Sequence, residues 1–523
     1  WVQICYAAIS HSPLASPLLG AVGMSERDKN SRPSGDRKPF NKDRGKGGKP
    51  PFKKGGKPPF NRDKRSDDRG SNSRGSGDRR PSRPEKDIPL TSAQLTRQLA
   101  ATAVRNVRTE GLPLETVLSA LPGYNELDPR DRAFVRLIAA TTFRRDGQLK
   151  AVFKPLIRKD PPLFIRAALE TAAAQILFLG TPPHAAVGET VGMLKSAKAT
   201  RGFANLANAV LRKVVEEGPK LAGMEAPRAN IPGWIRGAWE RGYGRAAVRK
   251  SSLQLIKDPP LDLTLKDTSD EKTKKWADAL EGEIIMPGTV RLSSIGNVAE
   301  LEGYEDGAWW AQDVAATLPV RLLANALGDL SGKTALDLCA APGGKTMQLA
   351  ALGANVTAVD KSDTRLPRIH QNLTRTKLEA EIICADALEW ETDKKFDIVL
   401  LDAPCTATGT FRRHPDVLHN RTPKTLSQLV KLQDKLLPRA AEHVAPGGWL
   451  VFATCSLQPE EGTPRVEKFL ESAPEFRPIS LLPVSGLDMP EEAVKNGTLR
   501  TLPHYLESKG GMDGFFMAFL QKS

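Results

Sequence analysis

Apolar positions along the chain follow two successive rhythms. In "SAQLTRQLAATAVRNVRTEG", Leu95, Leu99, Ala103, Val104 and Val107 recur at intervals of three and four, which places them on one helix face, and Gly111 and Pro113 then end the helix. Comparable stretches occur in "PRDRAFVRLIAATTFRR", "PPLFIRAALETAAAQILFLG", "HAAVGETVGMLKSAK" and "GFANLANAVLRKVVEEG", so residues 90–222 are predicted to form an all-α bundle. Residues 223–325 mix strand-like runs, "PLDLTLK" and "GTVRLSS", with helical stretches and read as a small α/β subdomain linking the bundle to the C-terminal region. Over residues 326–523 the rhythm changes to "TALDLCAAPGGKT", "ANVTAVD", "AEIICADA", "FDIVLLDAPC" and "GGWLVFATCS". Apolar runs alternating with helical stretches predict a parallel, doubly wound sheet. Pro438 interrupts "LSQLVKLQDKLLPRAAEHV", otherwise one amphipathic helix, and is expected to kink it.

Before residue 90 neither rhythm is present. Gly, Pro, Ser and charge dominate residues 24–89, and "GGKPPF" occurs at 47–52 and again at 55–60. Such a segment buries too little apolar surface to offset its chain entropy, so a disordered arm is expected. Residues 24–90 hold 21 Lys+Arg against 10 Asp+Glu and so supply +11 of the chain's formal +15. A flexible basic arm attracts RNA phosphates without reading sequence; a solubilising tail is the plainer alternative. Residues 1–23 start at Trp1, contain Pro13, Pro17 and His11, and carry no Lys, Arg, Asp or Glu, unlike the basic start of a secretory signal. They are expected to be an upstream extension, with Met24 as the true start.

With 523 residues there is room for roughly two to four domains. No charge-free apolar run reaches the ~18–20 residues of a membrane helix, and the five cysteines show no CxxC pair. A cytoplasmic protein without a metal centre, most simply a monomer, is expected.

In a doubly wound sheet, ligands bind beyond the carboxyl ends of the strands. Asp360, Asp386, Asp402, Cys405 and Cys455 lie at or just past those ends and are expected to converge. "GGKT" is not a phosphate-binding loop, because that pattern needs glycine at 339, where Cys339 stands, and no G-x-G-x-x-G comes after the first strand. What remains is a strand, a tight "CAAPGGK" turn and a helix, with Gly343 and Gly344 allowing close backbone approach. Asp360, 17 residues beyond Gly343, is placed to accept ribose hydroxyls. An adenosine cofactor without a long phosphate chain, such as S-adenosylmethionine, fits this pattern, with Asp386 at the adenine edge.

"LDLCAAPGGKT", "LLDAPCTATGTFRRHPD" and "FATCSLQPEE" resemble the three signature blocks of the RNA cytosine-5 methyltransferases. "DRAFVRLIAATTFRR", "AQILFLGTPPHAAVGETV" and "NAVLRKV" resemble the NusB-type RNA-binding domain. Residues 90–523 are thus similar to bacterial 16S rRNA cytosine-5 methyltransferases of the Sun/Fmu type. The resemblance implies a multidomain protein: a NusB-like helical domain followed by an α/β, Rossmann-like, S-adenosylmethionine-dependent methyltransferase domain. It also implies cofactor contacts at Cys339, Ala340, Ala341, Pro342, Gly343, Gly344, Lys345, Asp360, Asp386 and Asp402. "WAQDVAATL", with Gln312 and Asp313, is similar to the family's stretch before the first strand. The implied partner is RNA, as 16S rRNA or a small-subunit assembly intermediate. A tRNA substrate keeps the chemistry; a non-catalytic RNA-binding factor is disfavoured by the intact cysteines and Asp402. Gly462 stands where the family commonly has asparagine, and Thr264 where an arginine often sits.

C5 of cytosine is a poor nucleophile until a thiolate adds to C6, so one cysteine is essential. A thiol is only slightly ionised near neutrality, so a base or positive field must assist it. Position alone does not choose between Cys405 and Cys455, and a "PC" dipeptide carries the nucleophile in the DNA cytosine-5 enzymes. Resemblance to the RNA family implies that Cys455 attacks and Cys405 assists product release, while Asp402 holds or protonates cytosine N3. Cys384 is expected to be a buried structural thiol, and Cys339 to lend mainly its backbone. Arg130, Arg132, Arg136, Arg144 and Arg145 either face RNA or are simply solvated. The same alternatives hold for Arg412, Arg413 and His414.

Overall fold

A computed structural model of the protein describes residues 87–224, 226–293, 297–481 and 486–523. The expectations for residues 1–23 and for most of the basic arm lie outside the described residues.

The first helix, Ser92–Glu110, starts where Thr91 Oγ1 accepts the Gln94 amide and Gln94 Oε1 accepts the Thr91 amide, a reciprocal cap. It ends at Gly111, whose φ of 70° lies in the left-handed region. Leu99, Ala103, Val104 and Val107 are buried on its inner face. Helices Pro129–Arg144, Asp146–Leu156, Leu163–Phe178, Pro183–Ser196 and Ala204–Gly223 complete the bundle. Helix Leu163–Phe178 buries Ala167, Ala168, Ala172, Ala173 and Ala174, small side chains that let neighbouring helices approach closely.

Helix Gly233–Leu255 then leads into a four-stranded antiparallel sheet: β1 Leu261–Leu265, β2 Glu283–Met286, β3 Thr289–Leu292 and β4 Trp309–Ala311, in the order β2-β3-β1-β4. The larger sheet contains β5 Thr334–Leu338, β6 Asn355–Asp360, β7 Glu381–Cys384, β8 Phe396–Asp402, β9 Val444–Thr454, β10 Phe476–Pro478, β11 Val494–Lys495, β12 Thr498–Arg500 and β13 Phe516–Lys522. Strands β7-β6-β5-β8-β9 run parallel, as expected. The sheet as a whole is mixed: β13 lies antiparallel to β9 and carries β12 and β10 on its far side. Because the chain runs outward from β5 to β7 and then returns to β8 on the other side of β5, a crevice opens between the carboxyl ends of β5 and β8. Helix Pro423–Glu442 continues through Pro438, with Leu436, Leu437, Ala440 and Ala441 buried around it. Among the described residues, no helix is long and apolar enough to cross a membrane.

The bundle docks on the segment beyond β8. Helix Leu114–Ala120 has proline at its N-cap and no side-chain cap of its own. Asp416 supplies the missing acceptor from the other module, with Oδ2 2.9 Å from the Leu114 amide. Burial pushes the Asp416 carboxyl up to about 6, against the lowering effect of that amide. An unfolded chain releases this proton near pH 4, so between about pH 4 and 6 the folded state holds more protons and stability falls as pH rises. Asp416→Asn keeps an acceptor and cannot ionise. Its melting temperature relative to the parent is expected to climb across that window and stay level above it; a pH-independent difference would refute this.

Candidate active site

At the end of β5 the chain reverses sharply. Cys339 adopts φ 62° and Gly343 φ 97°, both left-handed, before helix Gly344–Ala351 begins. A side chain at Gly343 would carry the full penalty of that conformation and press on Ile369. Cavities lie on both sides of this turn. The larger, partly open to solvent, is lined by Asp337, Ala340, Pro342, Gly344, Lys345, Asp402 and Cys455, and faces Gln312, Arg413 and Asp513. The smaller is lined by Cys339, Asp360, Asp386, Pro404 and Leu432. Ala341 borders neither cavity and is held through its backbone, its amide 3.0 Å from Asp360 Oδ2 and its carbonyl accepting from Arg365.

Asp360 also accepts the Ser362 amide at 3.0 Å, so much of its carboxylate shapes the turn itself. Asp386 accepts the Leu388 amide and has Lys361 Nζ at 3.9 Å. Cys384 is not the buried core thiol expected: β7 is the edge of the sheet, and Cys384 is exposed there.

Of the five strand-end residues expected to converge, Asp402 and Cys455 share the larger cavity and Cys405 lies against Cys455, whereas Asp360 and Asp386 line the smaller one. The two Sγ atoms are 3.5 Å apart, well beyond the ~2.05 Å of an S–S bond, and Cys405 and Cys455 are 1% and 3% exposed. The loops that carry them are tied to each other. Gly409 donates its amide to the Cys455 carbonyl at 2.9 Å, and a Cβ on Gly409 would sit 1.8 Å from the Gly514 carbonyl oxygen. Buried Glu461 accepts the Thr406 amide at 2.9 Å and Gln433 Nε2 at 3.0 Å, while Gln433 also donates to the Pro404 carbonyl.

Two cations are coupled electrostatically to the thiols, Lys345 to Cys455 and Arg500 to Cys405. Lys345 Nζ lies 2.6 Å from Asp402 Oδ2. Burial alone would depress this ammonium, but Asp402, with Asp337 and the Cys455 thiolate also contributing, outweighs it and holds the group above its ordinary value. Arg500 donates to the Ser456 carbonyl and lies over the Phe516 ring at 4.9 Å. Burial pushes its guanidinium down, and Tyr243, Glu461 and the Cys405 thiolate pull the other way. Nothing in "GTLRTL" marks Arg500 as a neighbour of the thiols. Gly462 makes room for it: a Cβ there would sit 2.5 Å from Arg500 Nη2.

The arginine expectations need correction. Arg412 is 1% exposed, with Nη1 3.4 Å from both Asp313 and Asp513, and Arg413 Nη2 is 2.8 Å from Asp313 Oδ2. Both belong to a buried charge lattice, completed by the Asp262–Arg291 pair at 2.6 Å, rather than to a solvated turn. Arg413 and His414 still line the larger cavity. Burial opposes ionisation of Asp313, but Arg413 and Arg412 keep it low. Burial and the charge of Asp313 push Asp513 up. Of the five helical-module arginines, Arg130 is exposed, Arg136 pairs with Glu115, Arg132 donates to the Leu127 carbonyl and Arg145 lies over the Phe178 ring. Arg144 is buried at the contact with the catalytic module, not on an RNA-facing surface.

Residues 324–521 match the family model described as 16S rRNA methyltransferase RsmB/F, and residues 94–216 match the NusB family. Ribosomal RNA small subunit methyltransferase B of Cronobacter sakazakii is 34% identical over 451 residues, spanning 82% of this chain and 98% of the relative. The chain belongs to the RsmB family. The Vibrio cholerae protein of the same description is 32% identical over 448 residues, covering 82% of this chain and 97% of its own. A crystal structure titled PH0851 shares the fold at a TM-score of 0.65 and 22% identity, over 84% of this chain and 100% of that one. As an RsmB-family protein the chain is an S-adenosylmethionine-dependent methyltransferase with a NusB domain ahead of its Rossmann-like domain. The turn at 339–345 fits that cofactor. Asp337 lines the larger cavity, accepts Thr346 Oγ1 at 2.6 Å through Oδ2, and has a buried Oδ1 with no hydrogen-bond partner, an acceptor suited to an ammonium group. Burial pushes this carboxyl up to about 7 despite the Thr346 bond.

Proposed function

We propose that this RsmB-family protein methylates C5 of a cytosine in 16S rRNA through a covalent bond between Cys455 and C6 of the base. One observation supports this above all: two buried thiols lie 3.5 Å apart, and Cys455 of the pair lines the cavity that also holds the Lys345–Asp402 pair. When bound, S-adenosylmethionine supplies an electrophilic methyl group; Ala340 to Lys345, Asp360 and Asp386 are the residues to hold it.

In this reading the Cys455 thiolate, favoured by the Lys345 ammonium, forms the Sγ–C6 bond, and the displaced ring electrons make C5 nucleophilic. Asp402 brings a proton to N3 and so holds the base and takes up the charge that addition places there, which keeps C6 electrophilic. Once C5 carries the methyl group, the Cys405 thiolate takes the C5 proton, the Sγ–C6 bond breaks, N3 returns its proton to Asp402 and the Cys455 thiolate is regenerated. The flipped-out base is received against the Asp313–Arg413–Asp513 wall of the cavity.

Incubation with labelled methyl donor, small-subunit RNA and tRNA, followed by bisulfite sequencing, is expected to place 5-methylcytosine in 16S rRNA. Label confined to tRNA would transfer the chemistry to another substrate. RNA binding without any label would leave a non-catalytic binding protein.

A further inference from the structure

The loop that leaves β8 with Cys405 is fastened on two sides. Its near end is held within the catalytic module by Glu461 and by the Cys455 carbonyl. Its far end is held by the helical bundle. Arg144, the last residue of helix Pro129–Arg144, directs Nη1 at three carbonyl oxygens: Leu255 at 2.8 Å, Lys257 at 3.0 Å and Arg412 at 3.0 Å. His419 Nε2 donates to the Phe143 carbonyl at 3.0 Å while its ring stacks on Phe143 at 5.4 Å. Asn420 donates to the Leu112 carbonyl at 3.3 Å, and Asp416 accepts the Leu114 amide.

A surface arginine that only attracted phosphate would keep its guanidinium in water. Arg144 instead gives up solvation, and burial pushes its pKa down to about 10. What it gains is a junction of three segments: the end of helix Gly233–Leu255, the approach to β1 and the catalytic loop. Arg412, whose carbonyl it holds, adjoins Arg413 and His414 in the cavity wall. An RNA-gripping domain has no need of such a junction; a loop whose thiol must sit within a fraction of an ångström does.

We infer that the helical bundle braces the catalytic loop as well as contacting RNA, and that Arg144 is a positioning residue that sets Cys405 through the backbone of Arg412. The inference rests on the proposed release role of Cys405. Loosening the brace therefore impairs the same step that Cys405 serves.

The test uses the full chain with 16S rRNA and S-adenosylmethionine. Arg144→Ala is expected to lower kcat by about 10- to 100-fold, lower KM for RNA in step or leave it unchanged, and accumulate the Cys455–RNA adduct on denaturing gels. Arg144→Lys, which retains charge and some reach, recovers part of kcat. A raised KM with unchanged kcat would make Arg144 an RNA contact and overturn the inference, as would normal turnover. If Arg144→Ala melts below the assay temperature, Asp416→Ala against Asp416→Asn decides: the inference requires adduct with alanine and relief with asparagine, and equal behaviour overturns it. Failure of the parent protein or of Cys405→Ala to give the adduct pattern would instead refute the proposed function, so the two failures are distinguishable.

Discussion

Cys455→Ala is expected to abolish methyl transfer, by about 10⁴-fold or more, or over 5 kcal/mol in the barrier, and to give no protein–RNA adduct. Cys405→Ala is expected to turn over some 10²- to 10³-fold more slowly while the adduct through Cys455 accumulates. The two thiols are nearly equivalent by burial and lie 3.5 Å apart, so neither loss separates them on packing grounds. Their chemical surroundings do differ: the Lys345 ammonium feels the Cys455 thiolate, and the Arg500 guanidinium feels that of Cys405. Removing one buried sulfur costs about 1 kcal/mol of stability, so both variants remain folded and the adduct itself reports the role. Adduct trapped in Cys455→Ala and absent from Cys405→Ala would exchange the assignments.

The tight turn after β5 and both thiols are legible in the sequence because each is a short string at a strand end: "CAAPGG", "DAPC" and "TCS" carry their geometry with them. The helix of residues 92–110 is legible for a similar reason, since its cap, apolar stripe and terminal glycine are all local. The arginines are not. Arg412 is paired with Asp313 and Asp513, about 100 residues away on either side, and Arg144 is hydrogen-bonded to carbonyls of Leu255, Lys257 and Arg412. A basic string shows charge but not which distant acceptors the fold brings to it. Cys384 misleads in the opposite direction. "EIIC" looks like an interior strand, but strand order alone decides that β7 is an edge, and edge position exposes the thiol. The antiparallel β13 comes after the Gly-rich "SKGGMDG" without a crossover helix, outside the strand–helix alternation that predicts the rest.

Asp402→Ala is expected to lower methyl transfer by about 10³-fold or more, and the question is whether that loss belongs to the base or to Lys345. Asp402 Oδ2 is 2.6 Å from Lys345 Nζ, and the lysine side chain is 8% exposed. Deleting the carboxylate strands a buried ammonium, which costs about 3 kcal/mol, the lower end for such pairs because Asp402 itself retains some solvent contact. Without Asp402 the main counterweight to burial is lost and the Lys345 pKa falls. Adding Lys345→Met to Asp402→Ala removes both charges and should recover most of the stability, read as the denaturant midpoint. It should recover no activity, because neither the hold on cytosine N3 nor the cation beside Cys455 returns. Asp402→Asn separates the two effects further: the amide occupies the carboxylate's place, but its charge is gone, so adduct formation by Cys455 falls even though the cavity keeps its shape. Recovery of transfer in the double variant would make Asp402 a counterion to Lys345 and nothing more. Inactivity of the double variant beside transfer retained by Lys345→Met alone assigns Asp402 to the base.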